Sequence, residues 1–303
     1  MAGSSVEKVQ NGLSGLSLGT NGGSAASAGG DKNTGIEVVD KSKDTHHTYK
    51  VFYYSDTIFT TVTHRASVVD QWLADLYKDY DGKLNNLVVG LDVEWRRTRS
   101  VNTGIRNKVA VLQLCLDDRC LIFQFAWRDQ VPKSLKDFLG DDKFIFVGSG
   151  IDAEAYKLMV DHDLMVARTE ELGSLAAYKL PDSKWLHRAG LQSLVKEVLQ
   201  QELPKTRFVQ SSNWERGLLS DDQIEYACLD ALVSFKLGVD LMSRANPSRT
   251  YQNNKNNNRR PEVVPKDSEF PELKNAVEEK TKRGVPLKSN GGKTNGTNSK
   301  RTN

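Results

Sequence analysis

The sequence predicts an α/β domain, in which helices flank a mixed β-sheet, between two ends that do not fold. Short apolar segments rich in β-branched and aromatic residues alternate with segments whose apolar residues recur about every 3.6 positions, as expected for a sheet with helices on its faces. Residues 1–47 are rich in Gly and Ser, and residues 248–303 are rich in Asn and Lys. Because neither end has enough large apolar residues to offset the entropy lost on folding, we expect one folded domain over residues 48–247.

The first part of this domain is predicted to contain a hairpin, a helix and a buried strand. The segment YKVFYYSDTIFTTVT (49–63) has two β-branched and aromatic runs around a polar dipeptide, which is a hairpin pattern. In RASVVDQWLADLYKDY (65–80) the apolar spacing is helical, and Asp81-Gly82 ends the predicted helix. The run VVGLDVEW (88–95) is apolar enough for a buried strand, although it contains two acids.

The second part of the domain alternates strands and helices. A second hairpin is predicted at VAVLQLCLDDRCLIFQF (109–125), and FIFVGSG (144–150) predicts a buried strand that runs into a glycine turn. Ser220 is the expected N-cap of a long helix over residues 220–245. The remaining segments are a short helix at 133–139, a helix IDAEAYKLMVDH at 151–162 and an amphipathic segment LQSLVKEVLQ at 191–200.

The two acids of the apolar strand, Asp92 and Glu94, indicate a site. Side chains in a strand alternate between faces, so both acids lie on one face, roughly 7 Å apart along the strand. Two like charges on an apolar strand repel each other unless a cationic partner lies between them. Neighbouring arginines at the rim of the sheet could provide that partner, but a divalent cation, which prefers oxygen ligands, fits the pair better.

Two other segments offer residues for the same site. On the long predicted helix, Tyr226 and Asp230 are four positions apart and therefore lie on one helix face. The turn into the helix at 151–162 contributes Asp152 and Glu154. If acids from a strand, a helix start and a late helix converge on one cleft, they would hold two cations, as in two-metal phosphoryl chemistry.

Six motifs follow one another along the chain: LDVEW (91–95), VAVLQL (109–114), the turn VGSGI (147–151) with an acid three residues later, LQSLV (191–195), SNW (212–214) and YACLD (226–230). In this order and spacing, LDVEW, the glycine turn, SNW and YACLD resemble the motifs of the DEDD-type 3′–5′ exonucleases, and VAVLQL and LQSLV also fit. Tyr226 stands where a sister branch has His, so the resemblance is to the DEDDy branch, and in particular to the Werner syndrome-like exonuclease domain, including plant stand-alone forms without a helicase. It covers about residues 50–245 and implies an RNase H-like fold.

The resemblance also implies roles for the acids and the tyrosine. Asp92 would bridge two Mg²⁺ or Mn²⁺ ions, and Glu94 and Asp230 would bind the ion on the nucleophile side. Tyr226 would orient the attacking water. Because a phenol has an unperturbed pKa of about 10, Tyr226 would position that water more than deprotonate it.

One position departs from the family pattern. The family has Asp three residues after the Ile of the glycine turn, and this chain has Glu154 there. The longer side chain is expected to weaken the ion site on the leaving-group side. Asp152 points in another direction from a helix and is interpreted as a helix-start residue.

Further residues are candidates for substrate binding. Trp95, Gln113 and Trp214 would pack the terminal nucleotide or shape its pocket, and a place in the core is the alternative for each. Lys205 and Arg207 precede the SNW motif and would contact phosphates, unless they are solvated surface charges.

The leading functional hypothesis is a metal-dependent 3′–5′ exonuclease, and DNA 3′ ends are its expected substrate, with RNA as the alternative. A nuclease-fold protein with little catalysis, which binds nucleic acid or a protein partner, is the second hypothesis. Fold alone does not separate the two. The acids and the tyrosine that the sequence retains favour the enzyme.

The charge balance assigns the basic character of the chain to its tail. Residues 248–303 contain 13 Lys and Arg against 6 Asp and Glu, a net charge of +7, whereas the whole chain carries +3. The tail is interpreted as a solvated end or as an electrostatic tether to nucleic acid or to an acidic protein partner.

Composition also limits the cellular setting. No apolar run approaches the roughly 18 residues of a membrane span, so no membrane association is expected. The cysteines, Cys115, Cys120 and Cys228, form no CxxC pair and are expected to be free thiols in a reducing compartment. The sequence therefore predicts the nucleus or the cytoplasm, or both.

Overall fold

The computed structural model describes residues 33–96, 107–204 and 207–246. Eight strands of this part of the chain form one mixed sheet. They are β1 (Thr34–Asp40), β2 (His46–Tyr53), β3 (Asp56–Thr63), β4 (Leu87–Glu94), β5 (Val111–Leu116), β6 (Arg119–Gln124), β7 (Phe144–Gly148) and β8 (Thr169–Glu171).

Helices connect and cover these strands. Three short turns of other helix types accompany the α-helices: 3₁₀ turns at Phe125–Trp127 and Lys184–Arg188, and a π-helical turn at Val195–Leu199. The α-helices are α1 (Ala66–Asp79), α2 (Lys133–Leu139), α3 (Ile151–His162), α4 (Leu172–Lys179), α5 (Leu191–Leu194), α6 (Arg207–Gln210) and α7 (Asp221–Ser243).

The order and direction of the strands confirm the predicted fold. The order in the sheet is β1-β2-β3-β6-β5-β4-β7-β8. Strand β5 is antiparallel to β4 and β6, whereas β7 is parallel to β4 and β8 is parallel to β7. The five strands from β6 to β8 thus form the mixed sheet of an RNase H-like fold, and β1–β3 extend it at one edge.

The predicted elements agree closely with the observed ones. Both hairpins form, β2 with β3 and β5 with β6. The helix predicted at 151–162 is α3, and Ser220 caps α7 in a capping box with Gln223. The amphipathic segment at 191–200 forms α5 and then continues as the π-helical turn. Within the described residues, none of the helices has both the length and the apolar character that a membrane span requires.

The predicted start of the folded domain at residue 48 is wrong. Strand β1 and the first residues of β2 lie before it, and β1 pairs with β2 in antiparallel register. β1 is an edge strand with an exposed centre, so backbone hydrogen bonds to β2 hold it more than apolar burial does. The low apolar content of residues 1–47 therefore concealed it. The predicted tail, 248–303, lies outside the described residues.

The long helix α7 lies close to the centre of the sheet because Gly90 of β4 has no side chain. A Cβ atom at Gly90 would lie 2.0 Å from the carbonyl oxygen of Ala231 and 2.7 Å from the backbone nitrogen of Phe235. Any larger residue would push α7 away from β4. This close approach brings the middle of α7 to the end of β4 that carries the two acids.

Candidate active site

Three acids predicted as metal ligands meet between β4 and α7. Asp92, Glu94 and Asp230 each offer a carboxylate oxygen, and these oxygens all lie within 4.8 Å of one another. Glu94 is 4% exposed and Asp230 is 9% exposed, whereas Asp92 is half-buried. The alternation of side chains along β4 places Asp92 and Glu94 on the face that α7 covers.

The acids of this cluster disfavour one another's charged forms. Burial and, after it, the negative charge of Asp92 raise the pKa of Asp230 well above its ordinary range, and a hydrogen bond from Tyr226 acts in the opposite direction. Buried like charges so close together are unfavourable unless a cation lies among them. A compact set of carboxylate oxygens is the donor set that hard divalent cations such as Mg²⁺ and Mn²⁺ prefer, so these residues fit such an ion.

Glu154 approaches this cluster from α3. Its carboxyl oxygen Oε2 is buried without a hydrogen-bond partner. Burial, followed by the charge of Asp92 and a side-chain hydrogen bond with Asp92, raises the pKa of Glu154 well above its ordinary range. In the described part of the chain, the acids whose carboxylate oxygens all lie within 4.8 Å of one another are Asp92, Glu94 and Asp230, and Glu154 is not among them. Its carboxyl group therefore faces Asp92 from outside the three-acid cluster.

The turn before Glu154 is fixed by a residue that the sequence analysis missed. Gly150 has a left-handed backbone, φ +85°, and its N–H donates to Oε2 of Glu171 at 2.7 Å. The N–H of Ile151 donates to the same oxygen at 3.1 Å. Glu171 is the N-cap of α4, a helix that the sequence patterns did not indicate. Glu171 thus holds the first turn of α3, on which Glu154 stands.

Asp152 has another environment. Its side chain is exposed and accepts a hydrogen bond from the Thr169 hydroxyl at 2.9 Å. It lies in the first turn of α3, two residues before Glu154. The structure therefore places Asp152 at the helix surface and Glu154 towards the site.

Tyr226 lies one helical turn before Asp230 on α7. Burial and then the charge of Asp230 raise the pKa of the Tyr226 phenol far above its ordinary value. The hydroxyl therefore stays protonated at neutral pH and serves as a hydrogen-bond donor. The Trp214 ring packs against the Tyr226 ring with a centroid distance of 5.9 Å.

The three residues predicted to shape the nucleotide pocket occupy different environments. Trp214 is fully buried and donates from Nε1 to the carbonyl of Gln210 at 3.2 Å, so it forms the support behind Tyr226. Gln113 is fully buried and lies opposite Asp92 on β5. Trp95 is half-buried and directly follows β4.

Trp95 is held by a lysine that the sequence analysis missed. The ammonium of Lys157 lies 5.2 Å from the centroid of the Trp95 ring and 2.8 Å from a carboxylate oxygen of Asp161. It also donates to the carbonyl oxygen of Asn107. The spacing of Lys157 and Asp161, four positions apart on a predicted helix, was the sequence signal. Lys157 thus ties together the chain on both sides of residues 97–106.

The predicted phosphate contacts are only partly described. Lys205 lies outside the described residues. Arg207 is exposed at the first position of α6, next to Phe208. Phe208 was not singled out from the sequence, because a lone Phe in a short segment gives no pattern.

The chain is similar in sequence to known proteins. Residues 69–245 match the 3′–5′ exonuclease family. A 3′–5′ exonuclease from Arabidopsis thaliana is 34% identical over 177 residues, which cover 57% of this chain and 59% of that protein. The bifunctional 3′–5′ exonuclease/ATP-dependent helicase WRN of Mus musculus is 32% identical over 169 residues, 55% of this chain and 12% of that protein.

A further relative is exonuclease 3′–5′ domain-containing protein 2 of Drosophila melanogaster, which is 32% identical over 186 residues, 60% of this chain and 30% of that protein. The chain therefore spans at most about six tenths of the length of these relatives. The family match itself extends over more than half of the chain and includes β4, α3 and α7. The chain belongs to the 3′–5′ exonuclease family.

Proposed function

We propose that this protein is a metal-dependent exonuclease that hydrolyses phosphodiester bonds of nucleic acid from the 3′ end. The observation that carries the proposal is the convergence of Asp92, Glu94 and Asp230 within 4.8 Å, in a chain of the 3′–5′ exonuclease family. The protonated hydroxyl of Tyr226 lies on the same helix as Asp230, one turn away.

The residues of the site divide the tasks of metal binding and water positioning in this proposal. Asp92 would contact both of two Mg²⁺ or Mn²⁺ ions, while Glu94 and Asp230 would hold the ion on the nucleophile side. Bound ions of this kind supply a strong oxygen nucleophile at neutral pH and stabilise charge on the leaving 3′ oxygen. Tyr226 keeps its proton and orients the attacking water through its hydroxyl oxygen. Trp95, whose ring lies under the ammonium of Lys157, would pack the terminal nucleotide.

Glu154 makes the proposed enzyme a slow one. The carboxyl group of Glu154 faces Asp92 but lies outside the cluster of three acids. Mg²⁺ demands nearly ideal octahedral geometry, and the side chain of Glu154 is one carbon longer than the Asp of the family pattern, so it would hold the ion on the leaving-group side less well. The same observation supports the second candidate function, a nuclease-fold protein with little catalysis that binds nucleic acid or a protein partner.

We propose DNA 3′ ends as the substrate, with RNA as the alternative, and the nucleus or the cytoplasm as the location. The net charge of +7 on residues 248–303 supports a role for this tail in holding nucleic acid or an acidic protein partner. This role would be separate from catalysis, because the proposed catalytic residues all lie on β4, α3 and α7.

A primer with a recessed 3′ end tests the proposed activity. The primer strand carries a 5′ label, so that removal of nucleotides from the 3′ end produces a ladder of shorter products. We expect the ladder with Mg²⁺ or Mn²⁺ and no ladder with EDTA. An RNA primer of the same sequence measures the preference between deoxyribose and ribose. Binding of the primer without any ladder, in wild type and in Glu154→Asp, would support the non-catalytic alternative instead.

A further inference from the structure

We propose that Phe208, together with Arg216, forms a binding site for the substrate strand upstream of the scissile bond, in which a base stacks on Phe208 and a phosphate contacts Arg216. The inference rests on the proposed exonuclease function and extends it to a second contact region. It assigns to α6 a role in binding the single-stranded end of a nucleic acid.

Phe208 is 93% exposed, more than any other large apolar side chain in the part of the chain that the structure describes. A single exposed apolar residue is ordinary on a protein surface. The surroundings of Phe208 distinguish it, because it lines a surface cavity of about 220 Å³ together with Arg216, Ser212, Asn213 and Gln223. An aromatic ring beside an exposed cation and polar groups is the chemistry that holds single-stranded nucleic acid.

The wall of this cavity is held in place on two sides. Gln223 of α7 donates from Nε2 to the Ser212 hydroxyl at 2.8 Å and to the Asn213 carbonyl at 3.2 Å. On the other side, Gln124 of β6 donates to the carbonyl of Arg216 at 3.1 Å. The backbone around Arg216 is thus fixed before any ligand binds, which lowers the entropy cost of binding.

The cavity lies within a few nucleotides of the proposed catalytic site. Gln223 and Asp230 are seven residues apart on α7, which is about 10 Å along the helix axis. Stacked bases are about 3.4 Å apart, so this span corresponds to about three nucleotides. A mononucleotide or dinucleotide at the acids is therefore expected to end before the cavity, whereas a longer strand can enter it.

The charges on the cavity set the orientation of the strand. Arg216 and Asp222 both line it, and both are exposed. A phosphate is attracted to Arg216 and repelled by Asp222, so the backbone is expected on the Arg216 side. The uncharged face of the base can then stack on the ring of Phe208. Such stacking does not depend on base identity, because every base has a π-face.

Binding without catalysis provides the first test. The full-length protein in EDTA is titrated into a 5′-fluorescein-labelled dodecamer of single-stranded DNA, and fluorescence anisotropy gives the Kd. We expect Phe208→Ala to raise the Kd about 5- to 150-fold, which corresponds to the loss of one stacked base, and Phe208→Trp to retain wild-type affinity. Phe59→Ala is the matched control, because Phe59 of β3 is 52% exposed and does not line the cavity.

Salt dependence separates the two contacts. Arg216→Gln should lower the slope of log Kd against log salt concentration by about one, whereas Phe208→Ala should leave this slope at its wild-type value.

The ratio of kcat/KM for the dodecamer to kcat/KM for a dinucleotide should fall in Phe208→Ala. Equal Kd values for wild type and Phe208→Ala, or an equal effect of Phe59→Ala, would overturn the inference. Absence of hydrolysis by wild type would refute the exonuclease proposal. The binding test in EDTA would still decide whether Phe208 contacts the nucleic-acid strand.

Discussion

Gln113 on β5 lies directly opposite Asp92 on β4, and both amide atoms of Gln113 are buried without a hydrogen-bond partner. Opposite residues of an antiparallel pair lie on the same face with Cβ atoms about 4.5–5.5 Å apart. A buried polar group without partners costs about 1–3 kcal/mol. An amide kept at this cost beside a proposed metal ligand is suited to orient that ligand when a cation is bound.

Replacement of Gln113 by Met, an apolar residue of similar size, is expected to have opposite effects on stability and on metal binding. The free energy of unfolding of the metal-free protein should rise by about 1–3 kcal/mol, because the unsatisfied amide is removed. The affinity for Mn²⁺ should fall about 10- to 100-fold, because Asp92 loses its orienting neighbour. Thermal unfolding in EDTA and calorimetric titration with Mn²⁺ measure the two effects.

Gln124→Met is the matched control for this prediction. Gln124 is also buried, but its amide donates to the carbonyls of Arg216 and Gly217. Its replacement should therefore lower the free energy of unfolding rather than raise it. A Gln113→Met protein that is less stable than wild type and binds Mn²⁺ equally well would contradict the proposed role of Gln113.

Asp92→Asn should remove activity and stabilise the metal-free protein. The charge of Asp92 contributes to the raised pKa values of Asp230 and Glu154, so its loss relieves repulsion in the cluster. A gain of about 1 kcal/mol in a fold of this size raises the Tm by about 2–4 °C. The rise in Tm that Mn²⁺ gives to wild type should be absent from the variant. Asp152→Asn, the same change at an exposed acid, should behave as wild type in nuclease and melting assays.

Glu154→Asp should increase the Mg²⁺-dependent rate. A reacting group displaced by about 1 Å can lose on the order of a hundredfold in rate, so the shorter acid could restore up to about that factor. Glu154→Ala should remove the residual activity, and wild type should be faster with Mn²⁺ than with Mg²⁺. Single-turnover rates with each ion measure these effects. If Asp152→Ala inactivates the enzyme and Glu154→Ala does not, Asp152 rather than Glu154 is the ligand of the fourth motif.

His162 should make the stability of the fold depend on pH below about 6.5. Its ring stacks on Phe125. Burial lowers the pKa of His162, and a hydrogen bond with the Val109 carbonyl raises it by a smaller amount. As pH falls below the unfolded value of about 6.5, the unfolded chain binds a proton that the folded chain does not, so stability is lost. In His162→Gln this loss should be smaller. Urea unfolding of both proteins between pH 7.5 and pH 5.5 gives the difference, and parallel curves would contradict the prediction.

Removal of residues 248–303 should weaken nucleic-acid binding at low salt and leave the rate at saturating substrate near the wild-type value. The net charge of +7 on these residues would contribute through counterion release, which decreases as salt concentration rises. The Kd of the truncated and the full-length proteins is measured across a salt series. Identical slopes would assign the tail to a protein partner or to a linker.

Much of the fold and several features of the site follow from local sequence patterns. The alternation of side chains in a strand places Asp92 and Glu94 on one face, and the spacing of Tyr226 and Asp230 places them on one side of a helix. Both hairpins and the cap at Ser220 also follow from patterns of adjacent residues. Strand β1 does not, because an edge strand held by backbone hydrogen bonds needs no apolar pattern.

Distances between elements were decided by the tertiary structure alone. The approach of Asp230 to Asp92 depends on Gly90, which lets α7 lie against β4. The position of Glu154 outside the cluster depends on how Glu171 holds the start of α3. A sequence period fixes the direction of a side chain on its own helix or strand. The separation of two side chains on different elements is set by the packing of all the residues between them, and therefore appears only in the folded chain.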